Sequence, residues 1–309
     1  MVLHPQGDLP ELPADVRTRA LSASQSSWER IQYEQVTLPR AAAELAADLL
    51  LILGEGIPLA ASLPIVALPP IEPANSSAGV LEGLRRAAGR AGARGASATL
   101  YPADTLNLGQ RAQSYPPFVS DDFRHHQGRT PDGALEYVLC YDTEPEEVRK
   151  ALAAWTWVDG SLGDTYPLLF LGCDSETEHQ ILAAAAELDV ADSVVIRSKV
   201  LELPVIYQSA AAFLSVGLSA WGQPIRWALA SEVPVAAFET GAGSSIIGEA
   251  GYLVPQGDTR ALGAACLSLL VQEELAASLR AKGRRRAEAY RGRPPIQQLI
   301  EIQKRTAAR

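Results

Sequence analysis

Cysteine, methionine and histidine are scarce in this chain of 309 residues, which has three cysteines, one methionine and four histidines. Cys140, Cys173 and Cys266 each lie in an apolar run, and no pair has Cys-x-x-Cys spacing. This pattern predicts small core residues in a reducing compartment rather than a redox or zinc motif. The histidines have no metal-ligand spacing either. We therefore expect neither a metal nor another cofactor.

Long apolar runs are also missing, because no segment reaches the roughly 18 uninterrupted apolar residues typical of a membrane-spanning helix. The polar, proline-rich residues that follow Met1 do not resemble a signal peptide. A formal net charge of −9 gives no overall attraction to nucleic acid. These absences favour a cytoplasmic protein that does not bind nucleic acid.

Basic residues nevertheless cluster near the carboxyl end of the sequence. The cluster comprises Arg280, Lys282, Arg284, Arg285, Arg286, Arg291 and Arg293. One interpretation is a solvated helix face, and the other is a patch that touches an anionic membrane surface. Membrane contact is therefore expected to be peripheral at most.

What the chain does contain is an alternation of short apolar runs and helical stretches, which is typical of parallel sheets covered by helices. In the first half, strands are predicted at 48–53, 64–68 and 97–101. Before the third strand, a helix capped by Ser76 or Ser77 is predicted to carry Val80, Leu81, Leu84 and Ala88 on one face. In the second half, strands are predicted at 137–141, 167–171, 193–196, 211–216 and 233–238. Helices are predicted near 145–156, 175–188, 201–209 and 223–231, and a long one from about Thr259. The second half thus predicts a doubly wound α/β domain, and the turn-rich stretch 113–134 predicts a linker.

Four stretches resemble family 4 (group 1) glycosyltransferases of the GT-B type. They are YPLLFLGCD at 166–174, the run LDVADSVVIRSKV…AAAFLSV at 188–216, the block WGQPIRWALA…GDTRAL at 221–262, and WERIQYEQVTLPR…LLLIL at 28–53. The resemblance implies an α/β fold with two Rossmann-like, doubly wound lobes, the first incomplete. Residues 1–130 would form a truncated acceptor-type lobe, and residues 131–309 a nucleotide-sugar lobe with a final helix.

The polar positions of the family's motifs are replaced, although the apolar frame and the residues Trp221, Gly222 and Pro224 remain. Two glutamates eight positions apart in the family, one near the sugar and one on the donor ribose, correspond here to Ser219 and Trp227. The family's Arg and Lys, which neutralise the donor diphosphate, correspond to Thr143 and Glu147. Arg149 and Lys150 are close enough for a shift in register to restore one cation. The family's later Pro-Glu pair reads Ser244–Ser245, and its His-Asp pair reads Pro69–Pro70.

Candidate site residues follow from the resemblance and from the carboxyl ends of the strands, where open α/β sheets bind ligands. On the donor side they are Arg197, Lys199, Val200, Ser219, Trp221, Gly222, Gln223, Ser244 and Ser245. On the acceptor side they are Gly54 and Glu55. The stretch 241–245 could hold a phosphate or be a simple strand-to-helix turn, and 54–56 could approach an acceptor or be a turn. No residue is assigned a catalytic role.

Two functions remain open. The family activity is transfer of a sugar from a nucleotide-sugar donor to a glycan or lipid acceptor with retention. The alternative is an inactive homologue that acts as a binding or partner subunit. The family's Gly-rich first strand has no counterpart beyond Met1–His4. We therefore expect that the chain begins upstream, that the first lobe is rearranged, or that a protein partner completes it.

Overall fold

The structure is a computed structural model. It describes residues 2–5, 18–21, 26–69, 80–104, 112–124, 136–141, 144–173, 175–198, 202–291 and 296–308. Two parallel sheets dominate it, one in each half of the chain, and a separate pair of strands lies at the amino end. The α/β fold with two Rossmann-like lobes, the first of them smaller, is confirmed.

Parallel strands in chain order build the first lobe. The strands are β1 (Val2–Pro5), β2 (Thr18–Leu21), β3 (Leu50–Leu53), β4 (Ile65–Leu68), β5 (Ala98–Pro102) and β6 (Ala112–Tyr115). The stretch Met1–His4 was the most that could serve as a first strand, and its residues 2–4 belong to β1. This strand pairs with β2 in a two-stranded sheet, while β3 to β6 form the four-stranded one. The predicted linker at 113–134 was wrong at its beginning, because residues 112–115 pair with β5 as an edge strand.

Helices cover both faces of this sheet. The amino-terminal helices are α1 (Ser27–Gln32), a π-helix (Tyr33–Thr37), α2 (Leu38–Glu44) and α3 (Val80–Gly95). On one face Leu50 and Ile52 of β3 pack with Ala42 and Ile57 in an apolar cluster. The alternation of buried and exposed side chains along β3 follows from the two-residue period of a strand.

The second lobe contains a six-stranded parallel sheet. Its strands are β7 (Tyr137–Cys140), β8 (Leu168–Leu171), β9 (Val194–Arg197), β10 (Ala210–Ser215), β11 (Val235–Phe238) and β12 (Gly251–Val254). They lie in the order β12-β11-β10-β7-β8-β9. Side chains of β8 and β11 are buried throughout, as expected where helices cover both faces. Cys140, Cys173 and Cys266 are buried, as predicted for core residues, and form no disulfide with one another.

Helices alternate with these strands. They are α4 (Pro145–Leu162), α5 (Ser175–Glu187), α6 (Leu203–Gln208), α7 (Gln223–Ala230), α8 (Gly241–Ile247), α9 (Thr259–Val271), α10 (Glu273–Ala287) and α11 (Ile296–Ala307). All five strands predicted in this half are confirmed to within two residues at each end, whereas β12 was not predicted. The long helix from Thr259 is broken at Gln272, whose backbone leaves the helical region.

The last helix, α11, returns to the first sheet, where Ile302 is buried against Val66 and Leu100. In the other direction, Phe123 from the segment between the sheets is buried in the core of the second lobe with Tyr207. The chain therefore connects the two lobes more than once, and contacts between the lobes come from several segments.

Most of the basic residues that the structure describes near the carboxyl end have acidic or carbonyl partners. Arg280 pairs with Glu273, and Arg284 with Glu232. Arg286 instead donates to two backbone carbonyls of α8. These contacts support the interpretation of a solvated, ion-paired helix face.

Within the described residues, no single helix is both long and apolar enough to cross a membrane. Two consecutive helical segments have sufficient length and apolar content only when taken together, Thr259–Val271 and Glu273–Tyr290. They are bent by 97° relative to each other.

Candidate functional site

The strand order of the second sheet defines where a ligand of this lobe would bind. From β7 the chain adds β8 and β9 on one side, and then returns to add β10, β11 and β12 on the other. The switch point therefore lies between β7 and β10. In open α/β sheets the ligand crevice opens at the carboxyl ends of the strands at this point. The residues that follow β7 and β10 thus form the candidate donor site.

A carboxylate lies at this switch point. Glu147 is in the first turn of α4, directly after β7, and Gly217 follows β10. A Cβ atom added to Gly217 would overlap Oε1 of Glu147, so the carboxylate packs against the backbone of this turn. Glu147 thus lies at the switch point between β7 and β10. Thr143, the other substituted position, lies outside the described residues.

Two cations, Arg149 and Lys150, follow Glu147 on α4 and have other neighbours in the structure. Lys150 Nζ is 2.7 Å from Oε1 of Glu146, its partner one helical turn earlier. Arg149 lines a groove between α4 and α5.

An aromatic cluster surrounds the position of the family's ribose-binding glutamate. The Trp227 ring stacks on Phe123 with centroids 5.3 Å apart and meets Tyr141 edge-on at 6.1 Å and Tyr207 at 5.8 Å. Burial raises the pKa of Tyr141, so its hydroxyl stays protonated. This aromatic packing attaches the segment around Phe123 to the second lobe.

Three of the predicted donor-side residues contact the first lobe or the segment that follows it. Trp221 Nε1 donates to the carbonyl of Pro69 at 2.9 Å, just beyond β4. Gln223 Nε2 donates to the carbonyl of Phe118 at 2.9 Å. Ser245 Oγ donates to the carbonyl of Asp104 at 2.7 Å, just beyond β5. These hydrogen bonds close the face of the second lobe on which a donor was predicted to lie.

A buried ion pair between the lobes was missed by the sequence analysis. Arg226 of α7 is 1% exposed, and its guanidinium forms a bidentate pair with the carboxylate of Asp104, with Nε 3.0 Å from Oδ2. Nη1 donates to the carbonyl of Trp221 at 2.6 Å. A single arginine within the apolar helix sequence QPIRWALA could have indicated a buried, paired charge. Asp104, in a turn-rich stretch, gave no such signal.

Three further predicted donor residues, Arg197, Gly222 and Ser244, belong to the described part of the chain. Arg197 is exposed at the end of β9, the edge strand farthest from β12. Gly222 has φ of +72° and precedes α7, where a left-handed backbone favours glycine. Ser244 Oγ is buried without a hydrogen-bond partner in the described part of the chain. Lys199, Val200 and the side chain of Ser219 lie outside the described residues.

On the acceptor side, Gly54 and Glu55 follow β3, and Gly54 has φ of +104°. Glu55 belongs to a compact ion network centred on Arg85 of α3. Arg85 contacts Glu34 Oε1 at 2.7 Å, Glu55 Oε2 at 2.8 Å and Glu82 Oε1 at 2.6 Å. Arg86 joins the same network. Three carboxylates thus share two guanidinium groups, and Glu55 has a structural role here.

Glu34 is the least stabilised carboxylate of this network. Burial raises its pKa above the ordinary 4.5, although Arg85 opposes the shift, and its Oε2 is buried without a hydrogen-bond partner in the described part of the chain. The pKa of Glu82 is instead lowered by its hydrogen bond to Arg85. Glu34 lies in the π-helix, so this irregular turn brings it beneath Gly56.

The raised pKa of Glu34 predicts a pH-dependent difference in stability. The folded state binds this proton more tightly than the unfolded state does. The stability that the protonated carboxyl contributes is therefore complete below pH 4.5 and is lost as pH rises through the folded pKa. The free energy of unfolding of Glu34→Gln should therefore rise relative to that of the wild type between pH 4 and pH 8. Urea titrations across this range measure it, with the exposed Glu44→Gln as control. Parallel curves for the two proteins would contradict the prediction.

Metal binding has no candidate in the described part of the chain, where no group of three or more His, Cys, Asp or Glu side chains is arranged to hold an ion.

Comparison with known proteins agrees with this architecture. Two parallel, Rossmann-like lobes that meet at the carboxyl ends of their strands define a GT-B fold. Residues 144–272 match the family model described as "Glycosyl transferases group 1", so the second lobe is a group 1 glycosyltransferase domain. No curated protein matches the chain significantly in sequence.

Three solved structures illustrate the similarity of fold. WaaG, a glycosyltransferase involved in lipopolysaccharide biosynthesis, aligns with a TM-score of 0.73 and 15% identity over 96% of this chain and 88% of its own. Anabaena Alr3699/HepE, in complex with UDP and glucose, aligns with a TM-score of 0.63 and 12% identity. The alignment covers 93% of this chain and 86% of the HepE chain. An α,α-trehalose 6-phosphate synthase from Burkholderia multivorans aligns with a TM-score of 0.62 and 11% identity. The alignment covers 91% of this chain and 75% of the synthase chain.

Proposed function

We propose that the protein is a glycosyltransferase-like protein that has lost sugar transfer and acts as a binding or partner subunit. The observation that carries this proposal is the carboxylate of Glu147 at the switch point. A nucleotide-sugar donor would place its diphosphate there, and the leaving diphosphate gains negative charge in the transition state. Stabilising such charge is usually the largest single contribution to catalysis. A second negative charge at the same place opposes both binding and reaction.

The contacts between the lobes support the same conclusion. Backbone carbonyls outside the second lobe accept the side-chain hydrogen bonds of Trp221, Gln223 and Ser245. Trp227 is packed among aromatic rings and offers no acceptor for a ribose hydroxyl. The protein would therefore act through its shape and its surfaces, in the cytoplasm, with a protein partner at the first lobe.

A second candidate function is the family activity, the retaining transfer of a sugar from a nucleotide sugar to a glycan or lipid acceptor. It is favoured by the family match over 144–272, which spans the donor-lobe elements from α4 to α9. It also agrees with the complex of the HepE protein with UDP and glucose. A donor would then lie near Arg197, Lys199 and Ser219.

Charge reversal at the switch point tests the first proposal. In Glu147→Arg, the guanidinium replaces the repelling carboxylate, and a hydrogen bond to a charged group contributes about 1.5–3 kcal/mol. We therefore expect UDP to bind at least about tenfold more tightly than to the wild type, measured by isothermal titration calorimetry. Glu147→Gln, which removes only the charge, should give a smaller gain.

Glu146→Arg is the matched control, because Glu146 lies one residue earlier in the same helical turn but pairs with Lys150 at the surface. It should leave UDP affinity close to that of the wild type. In parallel, release of nucleoside diphosphate from a panel of nucleotide sugars is measured with the wild-type protein. Turnover of any donor, or tight UDP binding by the wild type that Glu147→Arg weakens, would favour the active transferase.

A further inference from the structure

We propose that Arg226 is a latent binding site for the diphosphate group of a ligand, and that Asp104 occupies this site in cis while the lobes are closed. The inference goes beyond the proposed function, because it concerns a different side chain from Glu147 and requires no transfer chemistry. It also defines what opening of the two lobes would expose.

The guanidinium of Arg226 has the surroundings of an anion site. It is 1% exposed, and its fork binds both oxygens of a single carboxylate. This planar, bidentate geometry suits carboxylate and phosphate oxygens equally well. The Tyr290 ring lies 5.8 Å from the guanidinium carbon, and burial raises the pKa of Tyr290 to about 12, so this ring stays neutral. The only anion that the described residues supply to the fork is Asp104.

That anion comes from the other lobe. Asp104 follows β5 in the first lobe, whereas Arg226 lies on α7 beside Gly222 and the predicted donor residues. If the lobes part, Arg226 loses the carboxylate of Asp104, and its guanidinium fork becomes accessible to an external anion. An external diphosphate that enters between the lobes would replace the carboxylate. Binding of the anion and opening of the lobes are therefore coupled.

The neighbouring contacts make the closed state cooperative. The carbonyl of Asp104 accepts from Ser245 Oγ, and the carbonyl of Ser245 accepts from Arg286. On the other side, the carbonyl of Trp221 accepts from Arg226, while its indole donates to Pro69. A continuous chain of hydrogen bonds thus runs through the pair, and breaking the Arg226–Asp104 pair should loosen all of it.

Removing the internal anion tests the inference. Asp104→Asn keeps the size of the side chain but loses its charge, so inorganic pyrophosphate should bind it at least about tenfold more tightly than it binds the wild type in calorimetric titrations. The double variant Asp104→Asn/Arg226→Met should lose this gain. Asp121→Asn, an exposed acid, is the control for net charge. Equal affinity of Asp104→Asn and the wild type, or a gain kept in the double variant, would overturn the inference.

Parallel titrations with phosphate, pyrophosphate and UDP identify the source of the anion. Tighter binding of UDP than of pyrophosphate indicates a nucleotide, and equal binding indicates a free diphosphate. Small-angle X-ray scattering of the wild type gives a measurement that does not depend on the variants. The radius of gyration of the wild-type protein should rise as pyrophosphate binds. Binding without a change in the radius of gyration contradicts the coupling between anion binding and opening of the lobes. Release of nucleoside diphosphate from a nucleotide sugar would overturn the proposed function but not this inference.

Discussion

Replacing Arg85 by methionine should lower the free energy of unfolding by about 3 kcal/mol, because it leaves buried carboxylates without their shared cation. The Arg85 side chain is 12% exposed and contacts Glu34, Glu55 and Glu82 directly. Methionine keeps most of the apolar stem, so the loss reports the charge rather than the packing. Denaturant titration at neutral pH, followed by circular dichroism, measures the effect.

The same variant should recover part of its stability in acid. Once the carboxylates are protonated, they no longer repel one another, so the difference from the wild type should shrink as pH falls below about 4.5. Arg90→Met is the control, because Arg90 lies on the exposed side of the same helix. A loss of similar size for Arg90→Met, or a pH-independent loss for Arg85→Met, would show that the network is not the cause.

Sequence periodicity was sufficient for the second lobe because its strands are apolar runs between helices of regular length. Residues 168–171 and 235–238 are buried on both faces and carry no polar residue that could obscure the signal. β6 escaped prediction because Ala112–Tyr115 is an edge strand of mixed polarity. β12 escaped it because Gly251–Val254 is an edge strand that begins with glycine directly after the 3₁₀ turn Gly248–Ala250.

The candidate site was less accessible from the sequence, for a physical reason. The sequence shows which side chains stand at the family's positions, and Glu147 and Trp227 were identified in this way. It does not show how those side chains are used, because Trp221 and Ser245 find partners some 150 residues away in the other lobe. The Arg226–Asp104 pair is of the same kind, since it exists only once both lobes have folded and met.

The close approach of α3 to the turn after β3 gives the second large prediction. A Cβ atom on Gly89 would overlap the backbone carbonyl oxygen of Glu55 and lie 3.1 Å from its carbon. Backbone cannot move aside as a flexible side chain can. We therefore expect Gly89→Ala to lower the free energy of unfolding by about 3 kcal/mol, the upper end of the usual cost of overpacking. Differential scanning calorimetry and denaturant titration measure the loss.

Gly83→Ala provides a control within the same helix. A Cβ atom there meets nothing within 4 Å, so the change only removes the entropy cost of glycine in a helix. It should raise the free energy of unfolding by about 0.5–1 kcal/mol. The two variants have the same chemistry and opposite expected signs, so the difference isolates the contact with Glu55. If both variants stabilise the protein, α3 does not pack against this turn as described, and the Arg85 network between them would have to be placed differently.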